Sequence, residues 1–338
     1  MREPVIAVVY NIPRSKDNPF AQSSLDVLNQ VEEVENSLAV RGLEVQRIAF
    51  TRDCETFLRE IRRRGISVIV NLCETVDEDS RFAGHPAALF ELLGIPFTGS
   101  PSFAITNSTD KATAKLLLKG AGVSTPGYVF YDGIRPFRGE ALSYPVIVKP
   151  CYEDASNGID QDAVCRDERA VLDCLEERYS LFGPLLVEEF IDGREFNVSL
   201  LGYPRPEVLP LAEIDFSGLP SDLHSIVGYR AKWDSESVEY RCTNRIFPKL
   251  PTAVAGELRR VALESFTLFG LRDYGRVDIR MDTAGRIFVL EVNANPGIAS
   301  DAGFAAAAAQ SGVTHVEMIE KLVHCACERA INNDQETC

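Results

Sequence analysis

Arg276-Val277-Asp278-Ile279-Arg280-Met281-Asp282, followed by Leu290-Glu291-Val292-Asn293-Ala294-Asn295-Pro296-Gly297, is the stretch on which the reading of this chain turns. Apolar and polar residues alternate in both segments, which predicts two β-strands joined by a tight turn at Thr283-Ala284-Gly285-Arg286. A period of two puts Arg276, Asp278 and Arg280 on one face of the first strand, and Glu291 and Asn293 on one face of the second. The oxygens of Asp278, Glu291 and Asn293 form the hard donor set that Mg²⁺ takes, with Mn²⁺ able to substitute. Arg276, at the same place, is suited to hold a developing oxyanion. The bland alternative is a solvated hairpin. Three metal-type ligands converging just before Asn295-Pro296-Gly297 weigh against it.

Working outward, the first hundred residues alternate strand and helix. Val5–Tyr10 is a short apolar run and reads as a buried strand. Leu25, Leu28, Val31, Val34 and Leu38 recur at helical spacing, with Gly42 as the stop. Leu43–Ala49 alternates as a second strand, a helix covers 54–64, and Val68–Leu72 is a third strand. His85–Leu93 reads as a helix closed by Gly94, and Ile95–Gly99 as a short strand. Strands alternating with helices predict a parallel sheet. A second unit opens near Thr109 with a helix over 110–121, then the strand Tyr144–Pro150, a helix over 168–178 and the strand Leu185–Phe190. A third unit holds the strand Glu195–Leu201 in an antiparallel sheet, a long polar loop at 217–243, a helix over 254–269, the polar hairpin and a closing helix near 314–332. The boundaries fall at 1–109, 110–192 and 193–338, and the fold class is α/β (α+β).

Bulk properties bound the function. A chain of 338 residues exceeds one small core. Hydrophobic content of 45% and charged content of 25% are ordinary for a soluble globular protein. No run approaches the roughly 18–20 apolar residues of a membrane span, and the start Met1-Arg2-Glu3-Pro4 does not read as a signal peptide. A net charge of −15 disfavours nucleic acid and anionic membranes as partners and leaves small molecules. The nine cysteines, at 54, 73, 151, 165, 174, 242, 325, 327 and 338, show no metal spacing. They are expected to be free, buried thiols of a reducing, cytoplasmic setting. Lys149, ending a buried strand just before Pro150, is a natural phosphate contact.

The R-x-D strand at Arg276 and Asp278 and the L-E-x-N-x-x-P-G strand at Leu290–Gly297 resemble the ATP-grasp superfamily, and within it the D-alanine–D-alanine ligases. The resemblance implies an ATP-grasp fold in three domains: an N-terminal Rossmann-like parallel sheet, a central ATP-grasp subdomain, and a C-terminal ATP-grasp subdomain with an antiparallel sheet and the Mg²⁺ site. It implies a Mg-ATP-dependent carboxylate–amine ligase that passes through an acyl phosphate, and a possible homodimer. By the same resemblance Lys111 and Lys149 contact ATP phosphates, and Lys115, in the same D-K-x-x-x-K pattern, reads equally well as a surface charge. The loop Glu153–Ile159 covers the phosphates through Ser156, Asn157 and Gly158, by backbone N–H groups. Glu188, Glu189, Phe190 and Ile191 line the adenine, and Glu195 takes the ribose hydroxyls. Lys232 closes over the phosphates and acceptor, and stands with Arg276 and Ser156 as a catalytic candidate.

Departures from that family gather where amino acids are recognised. The segment Asn11–Phe20 replaces a glycine-rich loop and carries no glutamate. Glu74-Thr75 stands where the family has His-Gly, Ala155 where it has serine, Asp154 where it has glycine, Trp233 where it has tyrosine, and Ala302 where a hydroxyl holds a substrate carboxylate. Glu74 is a candidate partner for an amino group and equally a polar loop residue. Trp233, Gly297 and Ser300 complete the substrate candidates. The pattern points to the same chemistry on different substrates. A true D-alanine–D-alanine ligase is the near alternative, and a non-catalytic nucleotide-binding module the distant one.

Overall fold

A computed structural model describes residues 4–15 and 17–336; Met1, Arg2, Glu3, Lys16, Thr337 and Cys338 lie outside the described residues. Strand β1 (Ile6–Asn11), helix α1 (Ala21–Ala39), β2 (Val45–Phe50), α2 (Cys54–Arg64), β3 (Val68–Leu72) and α3 (His85–Leu93) follow one another as the alternation predicts. The strands run parallel in the order β2-β1-β3. Ile6, Ala7, Val8 and Val9 are all sealed from solvent, as a parallel strand covered on both faces requires. Asp53 caps α2 by accepting the Thr56 N–H at 3.0 Å, and Gly65 ends it in the left-handed region. The expected strand Ile95–Gly99 shrinks to one bridge between Ile69 and Phe97. Pro96 has no N–H to extend the ladder.

Two helices come next, α4 (Ser102–Thr109), which the sequence pattern does not predict, and α5 (Lys111–Gly120). Asp110 separates them and caps α5 through the N–H groups of Ala112 and Thr113. The second sheet contains β4 (Tyr128–Tyr131), β5 (Val146–Pro150), β6 (Val164–Cys165) and, after α6 (Glu168–Phe182), β7 (Leu185–Glu189). Its order is β4-β7-β5-β6, all antiparallel, with Val171 and Leu175 of α6 buried against Val146, Val148 and Val187.

The third sheet is built from β8 (Gly193–Gly202), β9 (Glu207–Val208), β10 (Ala212–Asp215), β11 (Asn244–Ile246), β12 (Asp273–Asp282) and β13 (Ile287–Asn293). Its order is β11-β10-β8-β12-β13, with β9 on β8. The segment 217–243 is not a structureless loop, since it folds into α7 (Tyr229–Trp233) and α8 (Val238–Cys242). Helices α9 (Thr252–Leu268), α10 (Gly303–Gln310) and α11 (His315–Glu336) complete the chain.

The two faces of this sheet divide the labour. Phe196, Val198 and Leu200 of β8 and Val277 and Ile279 of β12 point into a core shared with Leu258, Val261 and Phe266 of α9. Each such side chain contributes about 1.5–3 kcal/mol of burial. The alternate residues, Glu195, Asn197, Arg276, Asp278 and Arg280, occupy the other face, and that face is available for chemistry. Among the described residues no helix is long and apolar enough to cross a membrane. The described cysteines are free; five are buried, and Cys54 is exposed, unlike the buried thiol expected there.

Candidate active site

A cavity of ≈ 600 Å³ lies over the polar face of the third sheet. Cross-strand register organises that face. Arg276 sits opposite Asn293 on one side and Ser199 on the other, Asp278 between Glu291 and Asn197, and Arg280 beside Glu195. The remaining walls come from the second sheet, the segment around 154–159, α7, and Glu74 after β3.

At the wall formed by the second sheet, Lys149 of β5 is ion-paired with Glu188 of β7. Lys115 Nζ lies 2.8 Å from the other carboxylate oxygen of Glu188, an ion-pair contact outside hydrogen-bond alignment. Lys115 also donates to Thr125 Oγ1 and to the Leu290 carbonyl, each at 2.8 Å. Lys115 is therefore a buried structural cation and not the surface charge that its place in the sequence equally allowed. Burial alone would raise the Glu188 carboxyl, but the two lysines outweigh it and hold it at about 2. Glu189 turns away, accepting N–H bonds from Ser143 and Gly127. Ile147 and Ile226, with Phe190 against them, form an apolar slot beside this pair. Glu195 receives two bonds from Arg280, at 2.9 and 2.7 Å, both on Oε2, which leaves Oε1 to accept from a ligand.

On the hairpin, Arg276 grips Asp278 with two parallel bonds, Nε to Oδ1 at 2.8 Å and Nη2 to Oδ2 at 2.9 Å. Asn197 adds a third, 2.8 Å to Oδ1. Burial disfavours the Glu291 anion, but Lys111, Arg276, Lys232 and Lys149 together hold its carboxyl below the usual range. Asn293 Oδ1 accepts the Asn295 N–H at 3.0 Å, which fixes the amide's orientation. Among the described residues no group of three or more His, Cys, Asp or Glu side chains is placed to hold a metal. Asp278, Glu291 and Asn293 thus make a two-carboxylate, one-amide donor set. That set fits a hard cation whose remaining ligands are phosphate oxygens and water, the usual habit of Mg²⁺. Lys232 lines the cavity and is itself exposed. Partial loss of water on its cavity side and the Arg276 charge lower its pKa.

Two segments close over this face. Ala155 and Ser156 adopt positive φ, 55° and 62°, a conformation that costs a non-glycine residue free energy. It is held by the Trp233 Nε1–H, 3.0 Å from the Ala155 carbonyl, and by Ser156 Oγ–H, 2.7 Å from the Val227 carbonyl. Lys111 Nζ donates to the Glu153 carbonyl at 2.6 Å and lies 3.3 Å from Asp154, so it supports the loop from behind the cavity wall. Asn157 is buried, accepting from Ser23 Oγ and donating to Glu153. Gly158 sits at φ +72° where a Cβ would strike Phe182 and Pro150.

At the opposite end, the Glu74 carboxylate faces the cavity beside Asp26. Gln30, anchored by the Ile298 N–H at 3.0 Å, extends its amide to Asp26 at 3.1 Å and Glu74 at 3.5 Å. Burial, then Asp26 and Asp154, push the Glu74 carboxyl up to about 7. Gly297 lines the cavity, whereas Ser300 is exposed and binds Glu33 of α1 through Oγ and its N–H.

The cavity thus gathers Lys149, Ser156, Glu188, Glu189, Phe190, Ile191, Glu195, Lys232, Trp233, Arg276, Asp278, Glu291, Asn293, Glu74 and Gly297. Lys111, Asn157, Gly158 and Ser300 stand outside its wall. Sequence reasoning assigned no role to Arg280 and Asn197, although both follow the period of two that marks their neighbours. Asp26, Gln30 and Arg245 carry no local signal, since the fold alone brings them to the cavity.

The family model described as "D-ala D-ala ligase C-terminus" matches residues 136–324. Protein y4sG of Sinorhizobium fredii is 32% identical over 80% of this chain and 77% of its own length. The D-alanine–D-alanine ligase of a Marinomonas species is 34% identical over 74% of this chain and 75% of its own. Among solved structures, D-alanine–D-alanine ligase from Bacillus anthracis complexed with ATP superposes with a TM-score of 0.78 at 18% identity, covering 98% of this chain and 100% of that one. The Coxiella burnetii enzyme gives 0.74 at 14%, covering 99% and 97%. At such identities these two likenesses show the fold.

Proposed function

The chain belongs to the D-alanine–D-alanine ligase family of ATP-grasp enzymes, and on that premise we propose that it joins an amino acid or related acid to an amine through an acyl phosphate, releasing ADP and phosphate. The observation that carries this reading is the single sheet face on which Glu195, Arg276, Asp278, Glu291 and Asn293 share one cavity with Lys149. In the proposed reaction Glu195 takes the ribose, and Phe190, Ile191 and Ile147 receive the base. Lys149 meets the phosphates, with Lys111 steadying the loop above them. Asp278, Glu291 and Asn293 would hold Mg²⁺, which neutralises phosphate charge in the loose transition state of phosphoryl transfer. Arg276 stabilises the oxyanion that forms when the amine attacks the acyl carbon. Lys232, a cationic side chain on the cavity wall, is suited to bind a transferring anionic group. Ser156 and Trp233 keep the two covering segments together, which excludes the water that would hydrolyse an acyl phosphate. A cytoplasmic setting and a homodimer belong to this proposal through family likeness.

Two D-alanines, the pair in the relatives' names, are the second reading, favoured by the matching hairpin. Ala155, Ala302, Glu74 and Trp233 argue for another pair, because a site that loses its hydrogen-bonding groups loses discrimination steeply, by roughly 10⁴-fold in favourable cases. The test is a screen of D-alanine, other amino acids and non-peptide acids in pairs, read by ADP release and product mass. An amide formed only when both an acid and an amine are supplied is expected, with D-alanine alone a poor substrate. Robust D-alanyl-D-alanine formation at millimolar substrate would establish the second reading instead. ADP release that no acid–amine pair stimulates would overturn both.

A further inference from the structure

Arg245 has no place in the roles assigned above, yet the fold delivers it to the cavity. It lies on the edge strand β11, opposite Ile214 of β10. Ile214 in turn faces Glu195 of β8, and Glu195 faces Arg280 of β12. Cross-strand neighbours point the same way, so Arg245 emerges on the polar face. From there it reaches the opposite rim, where α10 begins. A Cβ built on Gly303 would lie 3.2 Å from Arg245 Nη2 and 3.4 Å from Cζ, so the guanidinium rests against the first residue of that helix.

Its only hydrogen bond among the described residues is a long one, Nη1 to the Asp301 carbonyl at 3.5 Å. Although Arg245 as a whole is exposed, partial loss of water on its cavity side, with Arg276 as the next contribution, lowers its pKa, and the nearby Asp301 only partly offsets this. A guanidinium pressed towards another arginine without a hydrogen-bonded carboxylate is a poor structural element and a good anion receptor. The adjacent helix end strengthens the case. Ala302 precedes α10 with no side-chain cap, so the first N–H groups of the helix add donors next to Arg245. Ala302 is also where the family carries a hydroxyl for a substrate carboxylate.

We propose that Arg245 is the specificity-determining residue that takes the carboxylate of the amine-side substrate, which makes that substrate an amino acid and not a simple amine. Its planar fork matches a carboxylate in a bidentate arrangement. This inference rests on the ligase reading, and the experiment separates the two.

The probes are amino acids of both configurations and their carboxamides, each offered as the amine with the donor acids of the screen. ADP release is followed for the parent, Arg245→Ala and Arg245→Gln, with folding checked by thermal melting. The parent is expected to prefer the free amino acid over its carboxamide. Both variants should melt like the parent, since Arg245 is an exposed edge-strand residue. Each should raise KM for the amino acid roughly 10- to 100-fold, leave KM for ATP nearly unchanged, and lose the acid-over-amide preference. A variant that keeps the preference, or that raises KM for ATP instead, would overturn the assignment and place Arg245 on a phosphate. A parent that releases no ADP with any pair would overturn the ligase reading, and this inference with it.

Discussion

Lys115 Nζ lies 2.8 Å from Glu188 Oε2, and the two side chains are only 2% and 1% exposed. The pair ties α5 to β7, while the Lys115 bond to the Leu290 carbonyl reaches the strand that carries Glu291. One ammonium therefore links the nucleotide wall to the candidate metal hairpin.

Lys115→Ala is accordingly expected to destabilise the fold by about 1–3 kcal/mol, because it removes one of the two cations paired with a buried carboxylate, together with the bonds to Thr125 and the Leu290 carbonyl. Lys149→Ala should mainly weaken ATP binding, since Lys149 stands at the cavity. Denaturant unfolding and calorimetric ATP titration of both variants test this. A Lys115→Ala protein as stable as its parent would refute it.

How the charges divide between these lysines shows what a linear reading reaches. Local periodicity sufficed for the parallel first sheet, for the two polar strands and for the faces of Arg276, Asp278, Glu291 and Asn293, because a strand's alternation is written in consecutive residues. It failed where position depends on distant packing. Lys115 lies on a helix face that becomes interior only once β13 and β7 cover it. Arg245 meets the cavity through the register of three strands. Ser300 faces outward because Glu33 of α1 claims it. The loop Glu153–Ile159 was legible as a covering segment, but Lys111 behind it was not legible as its support.

Asp278→Asn and Glu291→Gln should leave the fold intact and lower turnover by at least about 100-fold, the scale for losing a key electrostatic stabiliser. Asp278→Asn also loses one anionic partner of Arg276. Steady-state rates over a Mg²⁺ titration, with circular dichroism as the folding control, decide the matter. Near-parental rates in folded variants would remove the metal role from these residues.

Glu74 gives a pH signature. Its carboxyl, ordinarily near 4.5, is raised to about 7 in the fold. Between those values the folded chain keeps a proton that the unfolded chain has released. The stability it contributes is therefore complete below the lower value and is lost as pH rises through the upper one. Glu74→Gln keeps the neutral shape and removes this dependence. Melting temperatures between about pH 5 and pH 8 should then show the variant gaining on the parent as pH rises. Parallel curves for the two proteins would contradict the half-buried, mutually repelling pair of Glu74 and Asp26.

The most direct measurement is the identity of the phosphorus products in a reaction with an active acid–amine pair, followed by phosphorus NMR alongside amide formation. Acyl-phosphate chemistry on the Arg276 face requires ADP and orthophosphate, each appearing in step with the amide. AMP and pyrophosphate would mean adenylation of the acid, and would contradict the ligase mechanism assigned to this site.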